Sequence, residues 1–473
     1  MTDLPILEIS DFIADPVAAA DFPETVLRHR NRRAAESIGL AHLSEADWIR
    51  HFGRFEALPG NLPEPLALRY HGHQFGTYNP EIGDGRGFLF AQLKDARGRW
   101  LDLGTKGSGQ TPYSRFGDGR LTLKGGVREI LASAYLEALG VKVSKAFSLI
   151  ETGEQLQRND EPSPTRSSVL VRLSHSHIRI GSFQRLAALG LKDEMARLID
   201  HCTRHYYPEA DDTNSASKAA RLLELMTRDS AAMVASWMAA GFVHGVMNTD
   251  NFNLTGETFD FGPYRFLPHS DPNFTAAYFD HAGLYRFGAQ PGRGFWNMQQ
   301  LASSLTLVTG EDTEPLIDAL RSYEPAYQDA LVDHVHARLG LSPLGDGSDI
   351  AFIAELFSWM TESGVDWQGL FHDWFCGETS AARARASQRA ELYATADFKP
   401  IRSHLAARTA VSPDRLETAS FQPAAPENLL YDEIEAIWAA IAESDDWSAF
   451  DTKLQRIEQF RRDLALGQPL QEG

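Results

Sequence analysis

The alternation of apolar and polar positions changes character along the 473 residues. Residues 1 to about 60 read as mostly helical and peripheral. Within them, Glu24–Leu40 mixes arginine-rich and apolar positions and stops near a glycine. From Leu66 to Lys124 glycines become dense and short apolar runs alternate with turns. GFLFAQLKD and RWLDLGTKG, joined by ARG, predict two strands and a tight turn. VREILASAYLEALG predicts a helix over Val127–Gly140, with Ile130, Leu131, Ala134 and Ala138 on one face and Gly140 as its stop. Strands follow at Lys145–Glu151 and Ser167–Leu173, around a polar segment, ETGEQLQRNDEPSPTRS, with no pattern to order it. After Ser182 the period becomes helical. Leu222, Met226, Met233 and Trp237 form a core stripe on a long helix ending near Gly241. Further helices are predicted at 296–309, 315–339, 350–362 and 429–463, with GLSPLGDGSD and SFQPAAPEN as surface loops. The fold class is therefore α+β, with a β-rich zone containing one prominent helix, then a helical zone, and helical segments at both ends.

Composition narrows the function classes. The formal charge of −19, from 45 basic and 64 acidic side chains, argues against general nucleic-acid binding, because a phosphate backbone meets repulsion over most of the surface. A small basic pocket for a nucleotide remains compatible with it. Two cysteines, Cys202 and Cys376, exclude a disulfide framework and a four-cysteine zinc site. MTDLPILEISDF does not read as a signal peptide, and no apolar run is long enough to span a bilayer. A soluble cytoplasmic protein with reduced thiols and no membrane partner is the expectation.

The chemistry concentrates in HGVMNTDN (His244–Asn251) and FDFG (Phe259–Gly262). Kinase-type phosphoryl transfer needs an Asn and an Asp converging on metal ions, within H-x-D-x-x-x-x-N and a later D-F-G. Asn251 lies seven residues after His244, and Asp260-Phe261-Gly262 follows. The order of elements also fits a bilobal kinase-like protein. The usual catalytic Asp position is Val246, which cannot accept a proton. Asp250 is the nearest replacement, with a turn-forming Asp as the alternative reading. Lys106, at a predicted strand end, and Glu129, in the first turn of the following helix, are candidates for a phosphate-holding Lys–Glu pair. Separately, they read as a solvated strand end and a charge favourable to a helix N-terminus. GTKGSGQTPYSRFGDGR combines glycines, hydroxyls and three basic residues, suiting an anion-binding concavity, although it matches neither a P-loop nor the glycine-rich kinase loop. GDGR occurs at 83–86 and again at 117–120. Arg172 and Arg179, around SHSHI, are either phosphate forks or surface arginines. His201 and His205 are at helical spacing for a metal but lack a third ligand candidate, so a structural pair is expected. His71 and His73 in YHGHQFG stay unassigned.

These motifs resemble the selenoprotein O family of kinase-like proteins. The likeness runs over roughly residues 60–305. It includes YHGHQFG (70–76), GDGR (83–86), TKGSGQTPYSRFGDGR (105–120), VREILAS (127–133), SHIRIGSF (176–183), HGVMNTDN, FDFGPYRFL and QPGRGFWNMQQLA. The resemblance implies a pseudokinase fold that binds ATP reversed and transfers AMP, not the terminal phosphate, to protein hydroxyls. It implies Asp250 as proton acceptor, Asn251 and Asp260 as ligands of Mg²⁺ or Mn²⁺, and Lys106, positioned by Glu129, as a phosphate-holding group. Gly83, Gly85, Arg86, Asp118, Gly119, Arg172 and Arg179, together with Asp260, would line the nucleotide pocket. Some members carry a selenocysteine or cysteine near the C-terminus, which the tail LALGQPLQEG lacks. Redox control through that position is therefore not expected.

The corresponding division is an N-terminal helical extension (1–60), an N-lobe with nucleotide-binding loops (61–182), a C-lobe with catalytic and metal-binding loops (183–310) and a C-terminal helical extension (311–473). The expected reaction is protein adenylylation from ATP on Ser, Thr or Tyr of protein partners. The alternatives are uridylylation from UTP with Mn²⁺, a nucleotide-binding scaffold without turnover, and conventional phosphorylation by an unusual base.

Overall fold

The computed structural model describes residues 4–466. The cysteine-free tail falls mostly at 467–473, outside the described residues. The architecture is α+β around one mainly antiparallel sheet. Its strands are β1 (Ala14–Pro16), β2 (Val26–Arg30), β3 (Leu66–Leu68), β4 (Gly72–Gln74), β5 (Thr77–Asn79), β6 (Leu89–Lys94), β7 (Trp100–Lys106), β8 (Leu121–Thr122), β9 (Lys145–Leu156) and β10 (Thr165–Ser174). The order across the sheet is β1-β3-β6-β7-β10-β9-β2, with β8 paired to β10 and β4-β5 forming a separate hairpin.

The expectation that residues 1–60 are mostly helical needs correcting. Short helices α1 (Ser10–Ile13), α2 (Arg32–Ser37) and α3 (Glu45–Phe52) are present, but the same stretch supplies both edge strands of the sheet. The polar segment after Glu151 is also more ordered than its composition suggests. β9 continues to Leu156 and β10 begins at Thr165, leaving only a short connection between them.

One helix, α4 (Leu123–Ala138), crosses the sheet. It starts four residues earlier than predicted, because the Thr122 side chain caps it by accepting from Gly125 N at 3.1 Å. Val127, Ile130, Leu131 and Leu136 of α4 are buried against the strands, together with Leu149 and Leu170. On the opposite face Phe52, Phe88, Phe90, Phe147 and Trp48 form an aromatic core.

The helical zone holds α5 (Ile180–Ala188), α6 (Lys192–His205), α7 (Ser215–Ala240), α8 (Gln290–Thr309), α9 (Glu314–Arg321), α10 (Tyr323–Leu339) and α11 (Ser348–Ser363). The Leu222, Met226, Met233 and Trp237 stripe of α7 is buried, and Gly241 ends that helix in the left-handed conformation at φ 66°. The single helix predicted at 315–339 is two, divided at Ser322. That predicted at 429–463 is also two, divided at 445–447. SFQPAAPEN is not simply a surface loop: Phe421 is buried, and buried Glu427 pairs with Lys453 at 2.5 Å. Both cysteines are buried and free. No helix among the described residues is long and apolar enough to cross a membrane.

Candidate functional site

Antiparallel pairing of β7 with β10 sets Lys106 opposite Leu170 and Gly104 opposite Arg172. Side chains alternate along a strand, so Lys106 and Arg172 emerge on one face. Lys106 ends β7, and its ammonium lies inside the protein rather than at a solvated strand end. It is bonded to Glu129 Oε1, and it reaches Asp260 Oδ1 at 2.7 Å. Because α4 begins early, buried Glu129 sits in the second turn, not the first. A helix-terminus role for its charge is thereby replaced by direct pairing with Lys106.

Asp260 holds a left-handed backbone conformation, φ 63°, which turns its carboxylate back toward the sheet. Arg172 Nη1 lies 3.4 Å from its Oδ1 and Arg179 Nη1 3.2 Å from its Oδ2. Burial alone would raise the Asp260 pKa. The Lys106 ammonium and the two guanidiniums outweigh it and hold the carboxyl well below its usual range. Arg172 and Arg179 are therefore buried and not surface arginines. Both stack on Phe259, at 5.3 and 4.8 Å, which accounts for the aromatic residue just before Asp260. His244 also steers this turn, with Nε2 at 3.2 Å from the Phe259 carbonyl.

The segment before Asn251 forms a short 3-10 turn, Thr249–Asn251. Asn251 donates through Nδ2 to the Val246 carbonyl at 2.9 Å, which leaves its amide oxygen as the free end. Asp250 does not act as a turn cap. Its carboxylate is buried, and Oδ1 has no hydrogen-bond partner. Burial pushes its pKa up to about 6, with Arg179 partly opposing.

YHGHQFG, whose two histidines were unassigned, supplies β4 and the turn of the β4-β5 hairpin that buttresses this segment. His73 N donates to Thr249 Oγ1 at 2.7 Å and Phe75 N to Asn248 Oδ1 at 3.1 Å. Gly72 lies directly under Asp250, where a Cβ would come within 3.0 Å of Oδ1. His71 bonds to Tyr78 within the hairpin and His73 to Gln184 of α5, each at 2.7 Å, so the second contact ties the hairpin to that helix.

These groups open onto a cleft of about 760 Å³. Gly83, Gly85, Arg86, Lys106, Asp118, Gly119, Arg172, Arg179, Asp250, Asn251 and Asp260 all line it, while Glu129 stands behind Lys106. The loop between β7 and β8 folds over one side. Gly83 is required there because a Cβ would lie 2.5 Å from the Tyr113 ring. Gly119, at φ 70°, would place one 2.3 Å from the backbone of Gly109. Asp118 is held by Arg158 in a two-point contact at 2.8 and 3.1 Å.

Asp84 was not among the sequence candidates, although it belongs to the first GDGR. It is buried, accepts from Leu68 N at 3.1 Å and pairs with Arg179 Nη2 at 3.2 Å. Arg120 and Arg158 also line the cleft. The doubled GDGR hinted at Asp84 and Arg120, whereas nothing in the polar segment between β9 and β10 hinted at Arg158.

Asn251, Asp260 and Asp250 line one cleft and offer only oxygens: the Asn251 amide oxygen and two carboxylates, of which that of Asp260 is paired with Lys106, Arg172 and Arg179. This set fits a hard divalent cation such as Mg²⁺ or Mn²⁺. The surrounding guanidiniums and ammonium fit phosphate oxygens. A cation–polyphosphate complex matches both halves.

Comparison with known proteins points the same way. Residues 5–458 match the family model described as "Protein adenylyltransferase SelO". The chain is similar to proteins named "Protein nucleotidyltransferase YdiU". That of Synechocystis sp. is 43% identical, over 97% of this chain and 98% of the relative. That of Gloeobacter violaceus is 41% identical over 95% and 93%, and that of Trichodesmium erythraeum 42% over 94% and 95%.

Proposed function

Because this chain belongs to the protein adenylyltransferase SelO family, and is accordingly a nucleotidyltransferase, we propose that it transfers AMP from ATP to Ser, Thr or Tyr hydroxyls of other proteins. The observation that carries this reading is Asp250. It is a buried carboxylate with one unpartnered oxygen, next to Asn251 and in the same cleft as Asp260, in a chain whose usual kinase base position is Val246.

In the proposed reaction the hydroxyl oxygen attacks the α-phosphorus in line. Its proton passes to Asp250, an O–P bond forms, the bond to the β-phosphate oxygen breaks, and pyrophosphate leaves. Lys106, Arg172 and Arg179 hold phosphate oxygens and spread the charge that develops on the leaving group. Glu129 keeps the Lys106 ammonium aimed into the cleft. Asn251 and Asp260 would hold Mg²⁺ or Mn²⁺, which supplies further neutralisation of phosphate charge. Gly83, Gly85, Arg86, Asp118 and Gly119 form the loop side of the nucleotide pocket. We place the reaction in the cytoplasm, where the two thiols stay reduced.

The test uses the intact protein with a hydroxyl-bearing protein acceptor and α- or γ-labelled ATP, or UTP, followed by mass measurement of the acceptor. Label from the α position with an adenylate mass increment supports the proposal. A phosphate increment carrying γ-label, a uridylate increment favoured over adenylate, or no adduct each overturns it. Asp260→Ala is expected to abolish transfer, and a fully active Asp260→Ala protein contradicts the assignment.

A further inference from the structure

His201 and His205 were expected to be a structural pair because no third ligand was near in sequence. The fold supplies one from 193 positions away. Both histidines lie one turn apart on the same face of α6. Glu8 ends a short 3-10 turn, Pro5–Glu8, whose neighbours Ile6 and Ile9 are buried in the core. That anchoring brings Glu8 Oε2 to 3.3 Å from His201 Nδ1 and 3.1 Å from His205 Nε2. One donor atom from each of the three residues lies within 4.8 Å of the others. A tetrahedral ion with bonds of about 2.0–2.1 Å holds its donors about 3.3–3.4 Å apart. The Glu8–His201 separation of 3.3 Å equals that edge length, and the Glu8–His205 separation of 3.1 Å is slightly shorter.

The surroundings suit an ion. The His201 side chain is 1% exposed, so its ring is held in place with Nδ1 toward Glu8. Burial pulls its pKa down to about 4, leaving a neutral ring with a lone pair at neutral pH. The His205 and Glu8 side chains are 14% and 39% exposed, which gives a path for an ion and room for a water as fourth ligand. Arg204, 3.1 Å from Glu8 Oε2, serves as the counter-charge in the ion-free chain. At 62% side-chain exposure it can swing into solvent at little cost.

We propose that Glu8, His201 and His205 form a zinc-class transition-metal site, distinct from the nucleotide cleft, that clips the N-terminal turn to α6. Two imidazole nitrogens and one carboxylate oxygen favour Zn²⁺ and its neighbours over Mg²⁺, whereas the cleft's oxygen donors favour Mg²⁺ or Mn²⁺. The two sites can therefore be loaded separately.

The experiment strips the full-length protein with a chelator, desalts it and titrates it with Co²⁺ in excess Mg²⁺. One equivalent of Co²⁺ is expected to produce the intense visible d–d bands of a four-coordinate ion, which Zn²⁺ then bleaches. Zn²⁺ is also expected to raise Tm by several degrees. His205→Ala should weaken Zn²⁺ binding by more than about a hundredfold and remove the Tm rise, with adenylyl transfer in Mg²⁺ unchanged. Glu8→Gln, at a more exposed position, should do the same if His205→Ala does not fold. Absence of the d–d bands from the wild-type protein, or undiminished Zn²⁺ binding in both variants, overturns the proposal.

Discussion

Asp250 is the residue on which chemistry and stability pull against each other. Its carboxyl titrates near 3.8 in an unfolded chain and near 6 in the fold, because burial penalises the charged form more than Arg179 favours it. Between those values the folded chain keeps a proton that the unfolded chain has released. Stability therefore falls as pH rises from about 4 to 6, and above about 6 the full cost of about 3 kcal/mol is present. Catalysis needs the opposite state, since only the carboxylate accepts a proton. With Asp250 as the base, kcat/KM falls about tenfold per pH unit below about 6. Asp250→Asn should then abolish transfer, spare most nucleotide binding, and raise Tm at pH 7.5 but not at pH 4. Calorimetry at the two pH values together with a pH–rate profile checks this. A variant with a lowered Tm at pH 7.5, or a wild-type rate flat through pH 5–7, contradicts it. Asp260 is the converse case, a carboxylate held far below its usual range by Lys106, Arg172 and Arg179. Its stabilising contribution is present at neutral pH and is lost only in strong acid.

At the scale of elements, the site depends on how the loop between β7 and β8 closes over the sheet. Gly119 combines φ 70° with a Cβ position 2.3 Å from Gly109 backbone atoms, so Gly119→Ala must displace the loop. The left-handed conformation alone costs a non-glycine residue about 1–2 kcal/mol. Because the loop carries exposed residues such as Phe116, the loss should appear as nucleotide affinity at least tenfold weaker, with Tm almost unchanged. Titration calorimetry with a non-hydrolysable ATP analogue measures it, and unaltered affinity rules this role out. The loop was legible beforehand because its glycines and basic residues are contiguous. The same holds for the stretch His244–Asp260, and for the pairing of Lys106 with Glu129, which follows from a strand end and the next helix. Contacts made across long stretches of chain were not legible. Glu8 beside His201 and His205, Asp84 beside Arg179, and the YHGHQFG hairpin under Asp250 each depend on packing that no local spacing encodes. The edge strand β2, VLRHR, was missed for another reason: its residues are half-buried or exposed on both faces, so no alternation marks it. The division at Ser322 was missed because apolar periodicity runs across it, although Pro325 in the first turn of α10 is a signal of a new helix start.

Across the whole molecule, charge is divided unevenly. The chain carries −19, yet the cleft is lined by seven cationic side chains (Arg86, Lys106, Arg115, Arg120, Arg158, Arg172 and Arg179) against four acidic ones (Asp84, Asp118, Asp250 and Asp260). The cleft thus attracts a polyphosphate at short range, while the rest of the surface sets the field felt by an approaching protein. An acceptor hydroxyl must come close to Asp250, and by then its parent protein lies within a screening length of the acidic exterior. Acceptors with basic residues around the hydroxyl are therefore expected to associate faster than acidic ones. The difference should shrink with salt, because the screening length falls from about 30 Å at 0.01 M to about 8 Å at 0.15 M. With ATP saturating, kcat/KM for a lysine-rich hydroxyl peptide should drop several-fold over that range. That of an acidic peptide of equal length should stay level or rise, and kcat for both should be unchanged. Steady-state rates at four or five ionic strengths decide the matter. If both peptides respond to salt with the same slope, the long-range field of the acidic surface plays no part in choosing the protein that is modified.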